Sequence, residues 1–134
     1  VFQLNLRYLC QCATNGSYVE VLVDNSPVAR CYHNTNDGYQ QSRSIQEIIH
    51  LGKGSFLKVL YNSNYNLVND PLANTLSLLY LGGPGSTHSL GNRILKLRSS
   101  KATANGHCIV WNQAENLPKE LFSYNNTAVT VLKG

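Results

Sequence analysis

Four cysteines, at positions 10, 12, 31 and 108, and four histidines, at 33, 50, 88 and 107, are the residues best equipped for chemistry in this chain of 134 residues. Cys10 and Cys12 stand two apart in an alternating stretch, so both project to one face of a strand. Zinc needs four converging ligands, usually with C-x₂₋₄-C spacing in turns. A C-x-C pair within a strand reads instead as buried, inert thiols. If a disulfide forms, Cys12 with Cys31 is the pairing that hairpin geometry most easily allows. The histidines are scattered over loops and strand ends without a carboxylate at fixed spacing, and are read as solvent-facing or locally bonded. There is no G-x-S-x-G, H-E-x-x-H or P-loop, and no G-x-G-x-x-G in a βαβ setting. Gly82-Gly83-Pro84-Gly85-Ser86 lacks the Lys-Ser/Thr pair that would hold phosphate and Mg²⁺, and reads as a linker. The expectation is a protein that is not an enzyme and holds no cofactor.

Binding chemistry is better represented. Arg93, Lys96, Arg98 and Lys101 form a basic stripe, with Lys96 and Arg98 on the side of a short strand opposite Leu95 and Leu97. A solvated strand face explains the stripe first, and an acidic protein or a glycan second. Nucleic acid is not expected, because no aromatic platform is interleaved with the charges. Eight tyrosines and Trp111 divide between core filling and an interface, where Tyr is enriched. The net charge of +4 favours an acidic partner without requiring one.

The elements that must position these residues are short strands. At 1–12 the even positions carry Phe2, Leu4, Leu6, Tyr8, Cys10 and Cys12, while Gln3, Asn5, Arg7 and Gln11 alternate with them. This is a strand with one dry and one wetter face. A second strand at 18–23 shows Val19, Val21 and Val23 on one face, and Asp24-Asn25-Ser26-Pro27 is a tight turn into a third at 28–33. Residues 34–38 are loop and 39–44 a polar segment. A helix competes at 44–51, but the run is short, and a hairpin of 45–51 with 55–62 across Gly52-Lys53-Gly54 is preferred. Residues 62–71 are a polar loop and 75–81 an apolar strand. Further strands are expected at 94–97, 108–111 and 128–132, with 112–121 irregular apart from one turn started by Pro118. Charged residues are only 13% of the chain, and Asn, Ser, Thr, Gly and Tyr fill the gap, which suits β-structure and turns. Roughly 8–10 short antiparallel strands make an all-β sandwich or jelly roll in one domain, 1–134. No apolar run is long enough to span a membrane, and membrane insertion is not expected. The sequons Asn15-Gly16-Ser17 and Asn125-Asn126-Thr127 matter only for a secreted chain.

The order of pieces across 17–81 resembles the C1q/TNF-like jelly roll. The run from Tyr18 through Asp24-Asn25-Ser26-Pro27 to Ala29 resembles that family's strand, short turn and returning strand. Residues 44–59 resemble its strand–"xGD"–strand hairpin, with Lys53 where an acidic residue is common. Ala73-Asn74-Thr75-Leu76-Ser77-Leu78-Leu79-Tyr80-Leu81 resembles the closing strand, with Leu78 in place of a glycine and Leu76 and Leu79 in place of aromatics. That strand ends the family's domain, yet some fifty residues follow it here. Residues 93–134 resemble the family's opening strands, and Lys133-Gly134 joined to Val1-Phe2-Gln3-Leu4 resembles its Pro-Gly-x-Tyr-x-Phe strand. Three arrangements give this order. The favoured one is a circularly permuted domain whose old ends are bridged within 82–92; the others are a natural sandwich that aligns by chance and a piece spanning two tandem copies.

The resemblance implies a jelly roll, a homotrimer and recognition of a protein receptor or ligand, with a secreted, extracellular location. Some relatives hold Ca²⁺ on loop carboxylates, but Asp24, Asp37 and Asp70 stand in separate turns. Asn34, Asp37, Asn64, Tyr65, Arg93, Lys96 and Arg98 are the candidate partner-binding residues, because the long loops carry binding on such scaffolds. Gln3, Asn5, Arg7 and Tyr80 are the candidate oligomer interface, more polar than the aromatics usual there. Alternatives of another class are a carbohydrate-binding sandwich, with Trp111 or an exposed Tyr stacked on sugar, and an intracellular interaction domain.

Overall fold

The computed structural model describes residues 1–11, 16–33, 40–63, 65–82 and 92–133. It is an all-β sandwich of jelly-roll type, and eleven strands fall within the described residues. They are β1 (Phe2–Gln11), β2 (Ser17–Val23), β3 (Ser26–His33), β4 (Gln40–Ile49), β5 (Phe56–Asn62), β6 (Thr75–Tyr80), β7 (Ile94–Arg98), β8 (His107–Cys108), β9 (Gln113–Asn116), β10 (Phe122–Asn125) and β11 (Ala128–Val131). One sheet, called A here, has the order β4-β1-β6-β7-β9. The other, sheet B, has the order β10-β11-β5-β2-β3, with β8 also on the edge of β5. Among the described residues no helix is long and apolar enough to cross a membrane.

The alternation of β1 does what period two demands. Phe2, Leu4, Leu6, Tyr8 and Cys10 are all fully or almost fully buried, and they line the middle of sheet A's inner face. Val19, Val21, Leu57, Val59 and Tyr61 answer from sheet B, and Trp111 and Ile109 fill in from the segment after β8. Burying each such side chain is worth roughly 1.5–3 kcal/mol before the ordering cost is counted. Residues in this core come from nearly every strand, so the two sheets are held as one unit.

The turns follow their residues. Val23 pairs with Ser26, so the β2–β3 loop is only Asp24 and Asn25, both at positive φ (50° and 67°). That is the signature of a type I′ hairpin turn, which suits Asn and Asp. Pro27 lies inside β3, opposite Leu22 and next to a register shift, not in the turn. The 52–55 turn is closed by Ser55 N–H to the Gly52 carbonyl at 3.0 Å, with Gly54 at φ 86° as a type II turn requires.

Several expectations are corrected. The segments at 45–51 and 55–62 are strands but not a hairpin: β4 pairs with β1 in sheet A, and β5 pairs with β2 and β11 in sheet B. The glycine turn therefore carries the chain from one sheet to the other. The polar segment 39–44 is, from Gln40 on, the first half of β4. The strand expected at 108–111 shrinks to β8, although Ile109 still donates to the Val59 carbonyl at 2.8 Å. The stretch 112–121 contains β9, and only its end turns at Pro118, whose carbonyl accepts from the N–H groups of Leu121 and Phe122. Of the expected linker at 82–86, residues 83–86 lie outside the described residues.

The pairing has a further regularity. Antiparallel pairs β2·β3, β1·β4, β5·β11 and β6·β7 are each nested inside the next if residue 133 is followed by residue 1. β1·β6 and β2·β5 then join these pairs edge to edge into the two sheets. A long hairpin rolled over on itself has this arrangement, which is what jelly-roll pairing means.

Candidate interaction surface

The outer face of sheet A is built by strand register. One row across it reads Gln46, Asn5, Ser77, Lys96 and Asn116; the next reads Ser44, Arg7, Thr75, Arg98 and Gln113. On β1, β6 and β7 these are the positions opposite the buried alternation, and the register carries the rows on to β4 and β9. A shallow depression of about 370 Å³ lies between the rows, lined by Asn5, Arg7, Ser44, Gln46, Thr75 and Ser77 among others. A third row is apolar except for Gln3: Ile48, Gln3, Leu79 and Ile94. Val1 and Leu81 extend it, joined by Leu81 N–H to the Val1 carbonyl at 3.0 Å. Ile48 is 56% exposed, so this strip is presented to solvent rather than covered.

Charge on the face is partly paired. Glu115 on β9 accepts from Lys96 at 3.0 Å and from Arg98 at 3.1 Å. The hydrogen bond from Lys96, and then the nearby Arg98 charge, hold the Glu115 carboxyl below its ordinary range. Arg98 also donates to the Pro71 carbonyl, and Arg7 to the Leu72 carbonyl, both at 3.0 Å. Two guanidiniums thus tie the 70–73 turn to the sheet. Asp70 organises that turn by accepting from Leu72 N–H at 3.0 Å, and the buried Asn74 behind it accepts from Leu9 N–H at 2.9 Å. Among the described residues the face carries hydroxyls, amides and cations and no nucleophile paired with a base. It can recognise, through hydrogen bonds and a flanking apolar strip.

The outer face of sheet B is different in kind. The Arg30 guanidinium lies 4.4 Å from the Tyr18 ring centroid and 5.6 Å from that of Tyr32. Its Nε donates to Glu20 at 2.6 Å and another nitrogen to the Tyr32 hydroxyl at 2.8 Å. Glu20 is buried and this pairing satisfies its charge. Tyr32 remains 48% exposed.

At one end of the core, the Tyr8 hydroxyl stands 2.7 Å from Nε2 of His33, both side chains being fully buried. Burial, and then the Arg43 charge, pull the His33 imidazole down to about 4. Burial, followed by a hydrogen bond with Cys31, pushes the Tyr8 phenol well above its ordinary value. The imidazole is therefore neutral at pH 7, and Nε2 shares one hydrogen bond with the Tyr8 hydroxyl. Among the described residues its Nδ1 has no hydrogen-bond partner.

The predicted residues divide as follows. Gln3, Asn5 and Arg7 share the outer face of sheet A, but Tyr80 does not. It packs toward the core, its ring 5.2 Å from that of Phe2. Lys96 and Arg98 lie on the same outer face, engaged by Glu115, while Arg93 sits beyond the strand end, its backbone carbonyl accepting from Tyr80 N–H at 2.8 Å. Tyr65 is exposed and its carbonyl accepts from the Tyr61 hydroxyl at 2.7 Å. Asn34, Asp37 and Asn64 lie outside the described residues, as do Cys12 and His88; Cys10 is buried, and Cys31 and Cys108 carry free thiols. Trp111 is 1% exposed and is a core residue, which removes it as a sugar platform. His33, expected to be solvent-facing or locally bonded, is buried and bonded to Tyr8. Among the described residues no three His, Cys, Asp or Glu side chains come together as metal ligands, and Asp24 is occupied by Phe56 N–H at 3.1 Å and the Ser55 hydroxyl at 3.2 Å.

Sequence reasoning does not reach Glu115, and it reads His33 only as one of four scattered histidines. Continuing the inward alternation Ala29, Cys31 by one step points to His33, so its signal was present. Glu115 had none, since Gln113-Ala114-Glu115-Asn116 carries no hydrophobic alternation. Comparison with known proteins finds no matching family model, no matching curated protein and no matching solved structure.

Proposed function

We propose that this chain is a C1q/TNF-like recognition head with circularly permuted strand order, which assembles as a trimer and binds a protein partner without catalysing a reaction. The nested strand pairing carries the reading. With residue 133 continued into residue 1, β7 becomes the first and β6 the last strand of a rolled hairpin, and the two are antiparallel neighbours. The ends such a join connects are also near each other: Val131 pairs with Phe122, whose ring lies 5.6 Å from that of Phe2. Jelly-roll termini lie close together, so this rearrangement costs little.

The outer face of sheet A is the trimer surface in this reading, with the Asn5 and Arg7 rows at its centre and the Ile48, Leu79 and Ile94 strip beside them. Partner binding falls to the loop around Tyr65 and to the edge stretch 112–119, which contains β9, at an extracellular location. Two experiments test it. Ser77→Arg sets a third cation beside Arg7 and Lys96, and is expected to cut the mass in solution by a factor of three while leaving the unfolding midpoint near that of the parent; an unchanged mass overturns the trimer surface. A chain reopened so that 92–133 precedes 1–82 is expected to fold to the same sandwich, and failure to fold overturns the permuted order.

One observation favours a second reading. Tyr32, held by Arg30 and half exposed, offers a ring face to a sugar on sheet B. Glycan binding that is lost in Tyr32→Ala and kept in Ser77→Arg would establish it.

A further inference from the structure

The four sheet edges of this sandwich are not treated alike. An edge strand exposes unpaired backbone N–H and C=O groups, and proteins blunt such edges by shortness, bulges, Pro or Lys. Three edges here follow that practice. β9 and β10 have four residues each, and β9 meets β7 across a register shift. β3 carries Pro27 beside its own shift. The fourth edge, β4, uses none of these four and carries only two charges, Arg43 and Glu47, at the inward-parity positions opposite Tyr8 and Leu4. It is ten residues long, pairs with β1 in unbroken register from Gln40 to Ile49, and contains no Pro, Gly or Lys. Among the described residues no second strand pairs with it.

We infer that the β4 edge is a second self-association surface, occupied by β4 of another copy of this chain in antiparallel, two-fold pairing centred on Ile45. The charges select that occupant and register. About Ile45 the two-fold sets Arg43 opposite Glu47 of the other copy, twice per interface, and sets Ser44 opposite Gln46; directly opposed unlike charges stabilise such a pair and like charges oppose it. No like-charged residues meet in this register. Glu47 is exposed, and Ile48, 56% exposed, falls opposite Ser42. Arg43 already reaches Gln41 on its own strand at 2.6 Å, so its guanidinium is held near the strand. A two-fold interface is self-complementary by symmetry, which this charge order is. The edge is joined through the outward backbone groups of β4, in the plane of sheet A, and the proposed trimer face lies along the sheet normal, although Ser44, Gln46 and Ile48 border both surfaces.

The test is the mass of the full chain in solution across a concentration series, under reducing conditions. Glu47→Arg, which sets Arg against Arg43, is expected to halve the high-concentration mass. The swapped variant Arg43→Glu/Glu47→Arg is expected to restore it. A mixture of Ser44→Cys and Gln46→Cys chains, oxidised together, should give a crossed dimer linked through those two positions, identified by peptide mapping. An unchanged mass in Glu47→Arg, no doubling in the parent chain at any concentration, or no crossed link overturns the inference. The last two outcomes would leave the edge to a strand of a different protein. A change by a factor of three in Ser77→Arg with none in Glu47→Arg separates failure here from failure of the trimer.

Discussion

The two ends of β1 do the same structural job by opposite means. At its start, Phe2 packs between the rings of Tyr80 and Phe122, at 5.2 and 5.6 Å, in a dry aromatic contact. Toward its other end, on the same inward face, Tyr8 meets His33 through one buried hydrogen bond beside Cys31. Both ends pin sheet A to sheet B. The aromatic end draws on buried area, which does not depend on pH. The polar end holds a group whose charged form is disfavoured by burial, so its contribution depends on keeping the imidazole neutral.

Substitutions should separate the two. Phe2→Ala removes a fully buried ring and is expected to cost about 3–5 kcal/mol, read from the urea midpoint. Tyr8→Phe keeps the ring and removes only the hydroxyl, leaving Nε2 of His33 unpaired, for a loss of about 1–3 kcal/mol. If Tyr8→Phe proved as costly as Phe2→Ala, the polar end would be the main clamp and the comparison would be reversed.

Acid should act on one end alone. A histidine ordinarily titrates near 6.5, and His33 in the fold near 4. Between those values the unfolded chain binds a proton that the folded chain does not, so stability falls as pH drops through that window and levels off below it. Urea midpoints measured from pH 7 to pH 4 should fall in the parent chain. In His33→Gln the share of that slope due to His33 should vanish, whereas Phe2→Ala should keep it. The smallest effect belongs to the β2–β3 turn at the aromatic end. Asn25→Gly relieves a side chain at φ 67° and should add about 0.5 kcal/mol.

The same contrast explains what could be read in the sequence. The strands β1, β2, β6 and β7 announce themselves because one face of each is buried and their apolar residues alternate. The first half of β4 and all of β9 lie at sheet edges, where neither face is well covered, so Gln40-Gln41-Ser42-Arg43 and Gln113-Ala114-Glu115-Asn116 look like loop. The type II turn at Gly54 was legible as a turn, but a turn does not say whether the next strand returns to the same sheet. That choice is made by non-local pairing: β5 goes to β2 and β11 rather than to β4. The outer-face positions of Gln3, Asn5 and Arg7 followed from parity alone. Tyr80 did not follow: its position in β6, opposite Phe2, sets it on the inner side. The pairing of Lys96 and Arg98 with Glu115 needed the fold, because seventeen residues separate Arg98 from its carboxylate.

The measurement that tests the account most directly is the mass in solution of the Glu47→Arg chain under reducing conditions, by light scattering behind size exclusion. With the β4 edge blocked by like charge, only the face of sheet A remains to join chains. A mass of three chains is predicted, and a mass of one chain would contradict the recognition-head reading.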